Sequence, residues 1–291
     1  FAEGSMNSSF IPVVSEVREK VGKIEADQFF SKIFSMLIIF LFFFVILLEI
    51  FAPFVISLIA PGFSEDSLKK ELTIDFARLT FPFLLFICAT SLIGAYLNTL
   101  GKFASMALTP VILNLTIITC LMIFFKNTDQ TNITYYLSLS ISIAGIIQLV
   151  WMLYNLKRNT VSLSLFVFNK NRFRKPTNKF LKLLVPAILG NGVYQLNLLI
   201  DMILASTLAH GSISFLYYAD RVNQLPLGVL GIAISTALLP LLSKYVKKND
   251  NVKITKSISS ALKYGLLFSL PAFLGIFILS EEIVTLLFYR G

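Results

Sequence analysis

The sequence predicts an all-α protein that crosses a membrane several times. Of its 291 residues, 56% are hydrophobic and only 14% are charged, and the mean hydropathy is +0.79. Apolar stretches of about 20 residues, the length of a transmembrane helix, recur along the chain. We therefore expect a polytopic helical bundle that begins with the end of one helix at 1–17 and continues with spans at 30–60, 74–100, 104–125, 133–156, 180–208, 212–243 and 257–288.

The net charge of +9 comes from an uneven distribution of lysine and arginine among the connections between spans. Alternate connections contain 18 basic residues, whereas the connections between them contain only Lys69, Lys70 and Lys126. The positive-inside rule therefore predicts that the basic connections are cytoplasmic. This placement argues against nucleic acid as the partner of the positive charge. The basic segment from Phe166 to Lys179 is then a cytoplasmic linker, which we expect to be a solvated loop, and contact with anionic lipid is the alternative.

Two segments of the chain resemble later segments at the same distance. Phe10–Ser15 is similar to Leu238–Ser243, and Val55–Ile59 is similar to Ile283–Leu287, in both cases with an offset of 228 residues. A repeated bundle in the same orientation predicts two pseudo-repeat halves around a central cavity, as in transporters with parallel repeats. We expect an N-terminal bundle at 1–156, a basic cytoplasmic linker at 157–179, and the start of a C-terminal bundle at 180–291.

A charge pair interrupts the apolar span at 212–243. Asp220 and Arg221 lie within it, although a central arginine or aspartate costs about 2.5 kcal/mol or more in hydrocarbon. In the preceding span Asn197 and Asp201 share one helical face with two further polar residues. At about 1.5 Å per residue, Asp201 and Arg221 lie at similar depths below the turn at His210. A salt bridge between the two helices and a substrate or ion site are both compatible with this spacing.

Signatures of an enzyme are absent from the sequence. The chain has one histidine, no metal-type grouping of histidine with carboxylates and no glycine-rich phosphate loop. Cys88 and Cys120 lie in apolar segments and do not form a disulfide framework. No cofactor is expected, and energy for any transport would come from a gradient, such as Na⁺ or the membrane potential, or from another protein.

Several motifs carry a resemblance to a known family. They are Phe1-Ala-Glu3-Gly4 with Pro12, Leu97-Asn98-Thr-Leu-Gly-Lys, Leu108-Thr-Pro110, and above all Ser214-Phe-Leu-Tyr-Tyr-Ala-Asp220-Arg221 with Leu225-Pro226-Leu-Gly228. The chain resembles the bacterial lipid II flippases, the MurJ or MviN family of the multidrug/oligosaccharidyl-lipid/polysaccharide exporter superfamily. The likeness covers about eight of that family's fourteen helices, so we expect a segment of a longer protein.

The resemblance implies an inner-membrane flippase that moves lipid-linked peptidoglycan precursor to the outer leaflet. It implies that Arg221 binds the substrate diphosphate, with Asp220, Glu3 and Asn197 beside it, and that Asp201 binds a cation such as Na⁺. Some relatives have an acid at the position of Gln224. The implied partners are lipid II, membrane lipids and enzymes of cell-wall synthesis.

Other functions are compatible with the same sequence. Within transporters, the alternatives are a flippase for another polyprenyl-linked oligosaccharide and a drug/cation antiporter of the same superfamily. A membrane scaffold that recruits cell-wall enzymes through its basic linker is an alternative of a different class. Such a scaffold would tolerate neutral residues at Arg221 and Asp201 but not replacement of 172–175. A membrane glycosyltransferase is disfavoured because no acidic metal cluster is present.

Overall fold

The computed structural model describes residues 2–124, 129–164, 173–247 and 250–289. In that part of the chain the regular elements are helices, with one short 3-10 helix at Pro61–Glu65. The α-helices are α1 Ala2–Val21, α2 Lys23–Ile50, α3 Ala52–Ile59, α4 Ser67–Thr80, α5 Pro82–Thr99, α6 Ala104–Ala107, α7 Thr109–Phe124, α8 Gln130–Arg158, α9 Arg174–Ser206, α10 Ser212–Lys247, α11 Asn251–Ile278 and α12 Ser280–Phe288. They form two compact units, 1–208 and 209–291.

The all-α membrane fold is confirmed. Five helices among the described residues are long and apolar enough to cross a membrane, namely Lys23–Ile50, Ser67–Thr99, Ala104–Phe124, Thr131–Arg158 and Asn251–Ile278. The two parts of α9, Arg174–Gly190 and Gln195–Ser206, are inclined by 42° and make a sixth if they form one span. Pro186 lies within the first part, where it removes the helical hydrogen bond to the carbonyl of residue 182.

Several predicted span limits are wrong by six or seven residues. The second span was predicted to begin at residue 30, but α2 begins at Lys23; α11 begins at Asn251 and not at 257. These helices include charged residues at their ends, because only the apolar part of each helix has to lie in the hydrocarbon of the membrane. At α11 the Asp250 carboxylate caps the helix by accepting a hydrogen bond from the backbone N–H of Lys253 at 3.1 Å.

Long predicted spans are also divided in the structure. The segment 30–60 is divided where α2 ends and α3 begins, and 257–288 is divided between α11 and α12. Pro82 begins α5 immediately after α4, and Pro110 lies in the first turn of α7. Proline is tolerated in a first turn because the N–H that it lacks would have no helical partner there.

An aromatic core holds the first unit together. The Phe10 ring stacks on Phe29 at 6.0 Å between centroids and meets Phe180 edge to face at 5.9 Å. Phe30 stacks on Tyr96 at 4.4 Å. Since these rings come from α1, α2, α5 and α9, their burial joins four helices in one cluster.

A buried carboxylate at the edge of this core links three segments. The Asp27 side chain of α2 is 3% exposed and accepts a hydrogen bond from the Tyr96 hydroxyl of α5. Its second oxygen lies 3.4 Å from the backbone nitrogen of Ser162, just after α8. Because a buried carboxylate needs hydrogen-bond donors, this arrangement fixes the ends of α2, α5 and α8.

The basic end of α1 is joined to the start of α9 by an ion cluster. The Glu16 carboxylate lies 2.7 Å from the Lys20 ammonium and also binds the Lys179 ammonium. The hydrogen bond and charge of Lys179, followed by those of Lys20, lower the pKa of Glu16 from its ordinary value of 4.5 to about 2. Glu16 is therefore charged over the physiological pH range.

The helix limits repeat with the offset seen in the sequence. Shifting α2 by 228 residues places it on 251–278, which are the bounds of α11, and shifting α3 places it on 280–287, within α12. Pro12 in α1 then corresponds to Pro240 in α10. The same order of long helix and short helix therefore occurs twice, as two pseudo-repeat halves require.

The predicted domain limits stay a prediction. Residues 165–172 of the predicted linker at 157–179 lie outside the described part of the chain. The two compact units meet at 208–209, in the turn between α9 and α10. Gly211 in this turn has a φ of +91°, a left-handed conformation that favours glycine.

Candidate functional site

The polar residues of α10 form a connected group around Arg221. Its guanidinium donates a hydrogen bond from Nη1 to the amide oxygen of Gln224 at 3.2 Å. The amide nitrogen of Gln224 in turn donates to Asp220 Oδ2 at 2.6 Å. Gln224 therefore lies between the cation and the carboxylate, and it orients both through one side-chain amide.

An aromatic ring supports the guanidinium from the preceding turn. The Arg221 carbon Cζ lies 4.8 Å from the centre of the Tyr217 ring, within the range of a cation–π contact. Tyr217 and Gln224 stand four residues before and three residues after Arg221, so all three share one face of α10. Helical spacing brings these side chains together, so the sequence itself carries this signal.

The Arg221 side chain remains exposed within its unit. Its hydrogen bond goes to a neutral amide, so the guanidinium charge is not compensated by that contact. Two turns further along the same face, an added Cβ at Gly228 would meet nothing within 4 Å. This face of α10 therefore carries an exposed cation and, about 10 Å further along the helix, an uncrowded glycine.

A hollow of about 390 Å³ lies on a different face of α10. It is lined by Asn223 and Pro226 from α10 and by residues of α11, among them Ser269 and Phe273. Asn223 stands two residues from Arg221, which is a rotation of about 200° around the helix. Arg221 is not among the lining residues, so this hollow is not the predicted binding site for an anion.

The predicted cation site on α9 has two adjacent oxygen-bearing side chains. The amide nitrogen of Asn197 lies 3.5 Å from Asp201 Oδ2, and Asp201 is half-buried. No group of three or more histidine, cysteine or acidic side chains with metal-binding spacing occurs among the described residues. Asn197 and Asp201 supply fewer oxygens than the six or more that a hard cation takes, so further ligands would be needed.

The other predicted site residues are placed in the fold with less detail. Glu3 belongs to the first turn of α1, and its side chain is outside the described part of the structure. The pairing of Asp201 with Arg221 stays a prediction, since the two residues belong to different compact units. The structure thus gathers Asp220 and Arg221 in one group and Asn197 and Asp201 in another.

Comparison with known proteins identifies the family. The sequence profile described as "Lipid II flippase MurJ" matches residues 1–291. A "Probable lipid II flippase MurJ" of Rickettsia prowazekii (strain Madrid E) is 40% identical over 291 residues, which cover all of this chain and 56% of that protein. A protein of the same description from Rhizobium tropici is 34% identical and is covered to 54% of its length.

A solved structure agrees with these sequence matches. It is described as "Lipid II flippase MurJ, inward closed conformation", and it matches with a TM-score of 0.79 and 30% identity. The match covers all of this chain and 58% of the solved chain, so the sequence spans somewhat more than half the length of its relatives. The chain is therefore a polytopic membrane protein that belongs to the lipid II flippase MurJ family.

Proposed function

We propose that the protein containing this chain is a flippase that moves lipid II from the inner to the outer leaflet of the bacterial cytoplasmic membrane. The single observation that carries the proposal is the environment of the Arg221 guanidinium. Its guanidinium lies on an apolar helix, is exposed within its unit, and is held by a neutral amide. The family match supports lipid II as the substrate, because the relatives are named for that lipid.

A guanidinium suits the chemistry of a lipid diphosphate. It carries a permanent positive charge, and its planar fork can donate two parallel hydrogen bonds to phosphate oxygens. Tyr217 and Gln224 limit the conformations of the Arg221 side chain before the ligand binds, which lowers the entropy lost on binding. Asp220 orients Gln224 through the 2.6 Å hydrogen bond and so acts as a positioning residue.

The transport step would follow from the two pseudo-repeat halves. In transporters built from parallel repeats, the substrate binds between the bundles, and rocking of one bundle against the other alternates its access to the two sides. Such a cycle moves a headgroup through a polar cavity while the polyprenyl chain stays in lipid. It needs no covalent chemistry from the protein, consistent with a transporter and not an enzyme.

The membrane orientation follows from the charge distribution. We propose that the ends of the spans next to the basic connections face the cytoplasm, including the Glu16 and Lys179 cluster.

We further propose that Asn197 and Asp201 respond to Na⁺ with the help of ligands from other parts of the protein. Comparing the thermal stability of the wild type with that of Asp201→Asn in sodium and in potassium salts tests this part separately.

Substitution of Arg221 tests the proposed function directly. In a full-length polypeptide that carries these residues, Arg221→Ala should fail to support growth when the resident flippase is depleted. Purified Arg221→Ala should bind lipid II at least about tenfold more weakly, because a hydrogen-bonded charge pair is lost. Arg221→Lys should restore part of the binding, since it keeps the charge but not the fork.

The matched control is Arg158→Ala, which removes an exposed arginine at the end of α8. It should grow and bind lipid II like the wild type. Full complementation by Arg221→Ala at normal expression would overturn the role of Arg221. Co-purification of a different polyprenyl-linked sugar with the wild type, in place of lipid II, would replace the proposed substrate.

A further inference from the structure

The second unit contains a cavity of about 550 Å³ between α10 and α11. One end is lined by Tyr245, Lys253 and Lys256, and the other end is lined by Ile234, Leu238, Ala261 and Tyr264. The cavity lies on the side of Gly265 that is nearer to the basic connection. At Gly265 itself an added Cβ would be 3.5 Å from the Ile234 side chain, so the two helices are close together there.

The cavity is elongated and changes polarity along its length. From Lys253 to Tyr264 its α11 wall spans eleven helical steps, or about 16 Å at the helical rise. The two ammonium groups occupy the end near the helix terminus, and Ser257 and Ser260 follow them along α11. The deeper part is lined by aliphatic side chains, Ile234, Leu238 and Ala261, and by Tyr264. This gradient matches an amphiphile whose charged group lies at the membrane surface and whose chain points into hydrocarbon.

The first pseudo-repeat provides an internal comparison for this interface. With the 228-residue offset, Leu238 corresponds to Phe10 and Ser257 corresponds to Phe29. Phe10 and Phe29 are both fully buried and stack at 6.0 Å, so aromatic rings fill that interface. In the second repeat a leucine and a serine take their places, and a cavity lies between the helices instead.

The interface of the second repeat is also more basic than that of the first. Lys253 corresponds to Glu25 and Lys256 corresponds to Gln28, so the second repeat carries cations where the first has an acid and a neutral amide. Lys253 lies 2.8 Å from the Asp250 carboxylate, which offsets part of its charge. Among the described residues, Lys256 takes part in neither an ion pair nor a side-chain hydrogen bond. Its charge is available to an anion in the cavity.

We propose that the α10–α11 cavity binds an anionic membrane phospholipid, with the phosphate near Lys253 and Lys256 and one acyl chain along Leu238 and Ala261. Anionic phospholipid is the occupant that fits both ends of the cavity, since a soluble phosphate would leave the apolar part empty. Basic pockets between helices on the cytoplasmic side are suited to such headgroups. The inference depends on the membrane orientation proposed above but not on the transported substrate.

The test measures lipid retained by a full-length polypeptide that carries these residues. The protein is delipidated in detergent, incubated with phosphatidylglycerol or phosphatidylcholine, and analysed by native mass spectrometry. The wild type should retain phosphatidylglycerol preferentially, and inorganic phosphate should not compete with it. Lys253→Gln with Lys256→Gln should weaken retention roughly tenfold or more, because each lysine near the surface contributes substantially to binding of anionic lipid.

A second variant fills the cavity without removing charge. Ser257→Phe with Ala261→Ile introduces the residues of the first repeat, Phe29 and Ile33, and should also abolish selective retention. It should keep or raise the melting temperature in lipid-free detergent, because filling a cavity adds contacts. The matched control removes two exposed cations at the end of α8, Lys157→Gln with Arg158→Gln, and should retain phosphatidylglycerol like the wild type.

Specific outcomes would overturn the inference. Equal retention of both lipids by the wild type would show that the cavity does not select an anion. Undiminished phosphatidylglycerol on the filled variant would show that lipid binds elsewhere, and a protein segment occupying the cavity in the full-length structure would exclude lipid from it. These outcomes leave binding of lipid II to Arg221 unaffected, so the two proposals fail separately.

Discussion

Removing one hydroxyl from the core should destabilise the protein in proportion to the burial of its partner. Tyr96→Phe deletes the hydrogen bond from the Tyr96 hydroxyl to Asp27 but keeps the ring that stacks on Phe30. Tyr135→Phe deletes the same kind of bond, from a tyrosine hydroxyl to the Asp75 carboxylate at 2.8 Å. The two variants differ mainly in burial, since Asp27 is 3% exposed and Asp75 is only half-buried.

The magnitudes follow from this difference in burial. Among the described residues, the donor left to the buried Asp27 carboxylate in Tyr96→Phe is the backbone N–H of Ser162 at 3.4 Å. Loss of a hydrogen bond to a buried charged group costs about 2–3 kcal/mol. In Tyr135→Phe water can replace the hydroxyl, so the cost should be about 0.5–1 kcal/mol. The melting temperature should fall by about 5–8 °C in the first variant and by about 1–3 °C in the second.

Thermal unfolding of purified protein in detergent, followed by far-UV circular dichroism, measures both shifts under the same conditions. The double variant Tyr96→Phe with Asp27→Asn separates hydrogen-bond loss from desolvation, because it removes the buried charge as well. It should recover part of the stability lost in Tyr96→Phe. Equal shifts in Tyr96→Phe and Tyr135→Phe, or no shift in Tyr96→Phe, would refute the claim that burial sets the cost.

Two further predictions concern backbone approach and pH. Gly62→Ala should strongly destabilise the protein, because the added Cβ would lie 1.9 Å from the carbonyl oxygen of Ser206. Gly275→Ala has open space around the added Cβ and should be neutral or slightly stabilising. Equal melting temperatures of the two variants would contradict this prediction. The carboxylate of Glu16 has its pKa lowered to about 2, so its stabilising effect should be complete above pH 4.5 and be lost as the pH falls towards 2. The difference in melting temperature between the wild type and Glu16→Gln should therefore be constant from pH 5 to neutral pH and should shrink in acid. A difference that grows in acid would contradict a stabilising role of the charged Glu16 carboxylate.

The length of the apolar stretches and the distribution of charge determined most of the fold. A helix in hydrocarbon must satisfy its own backbone hydrogen bonds, so an apolar stretch of sufficient length specifies a span without reference to its neighbours. The 228-residue offset between Pro12 and Pro240 likewise predicted a repeat, and the limits of α2 and α11 follow it. Span ends were predicted less well, because hydropathy does not detect the polar turns that continue a helix or a cap such as Asp250.

Part of the candidate site was also present in the sequence. Arg221 is conspicuous because its charge is costly in an apolar segment, and helical spacing places Tyr217 and Gln224 on its face. The sequence did not reveal that Gln224 binds both Arg221 and Asp220, since a rotamer decides which groups a side-chain amide reaches. It also did not reveal that Asn223 lines a hollow on a different face of α10.

The sequence by itself determined the helical membrane class, the repeat and the unusual arginine, because these depend on local composition and on periodicity along one chain. Only the tertiary structure decided which side chains are buried together. Asp27 and Tyr96 are 69 residues apart, and the Phe10, Phe29 and Phe180 rings come from three helices. The cavity between α10 and α11 is likewise a property of two packed surfaces, since it depends on volume that neither helix fills.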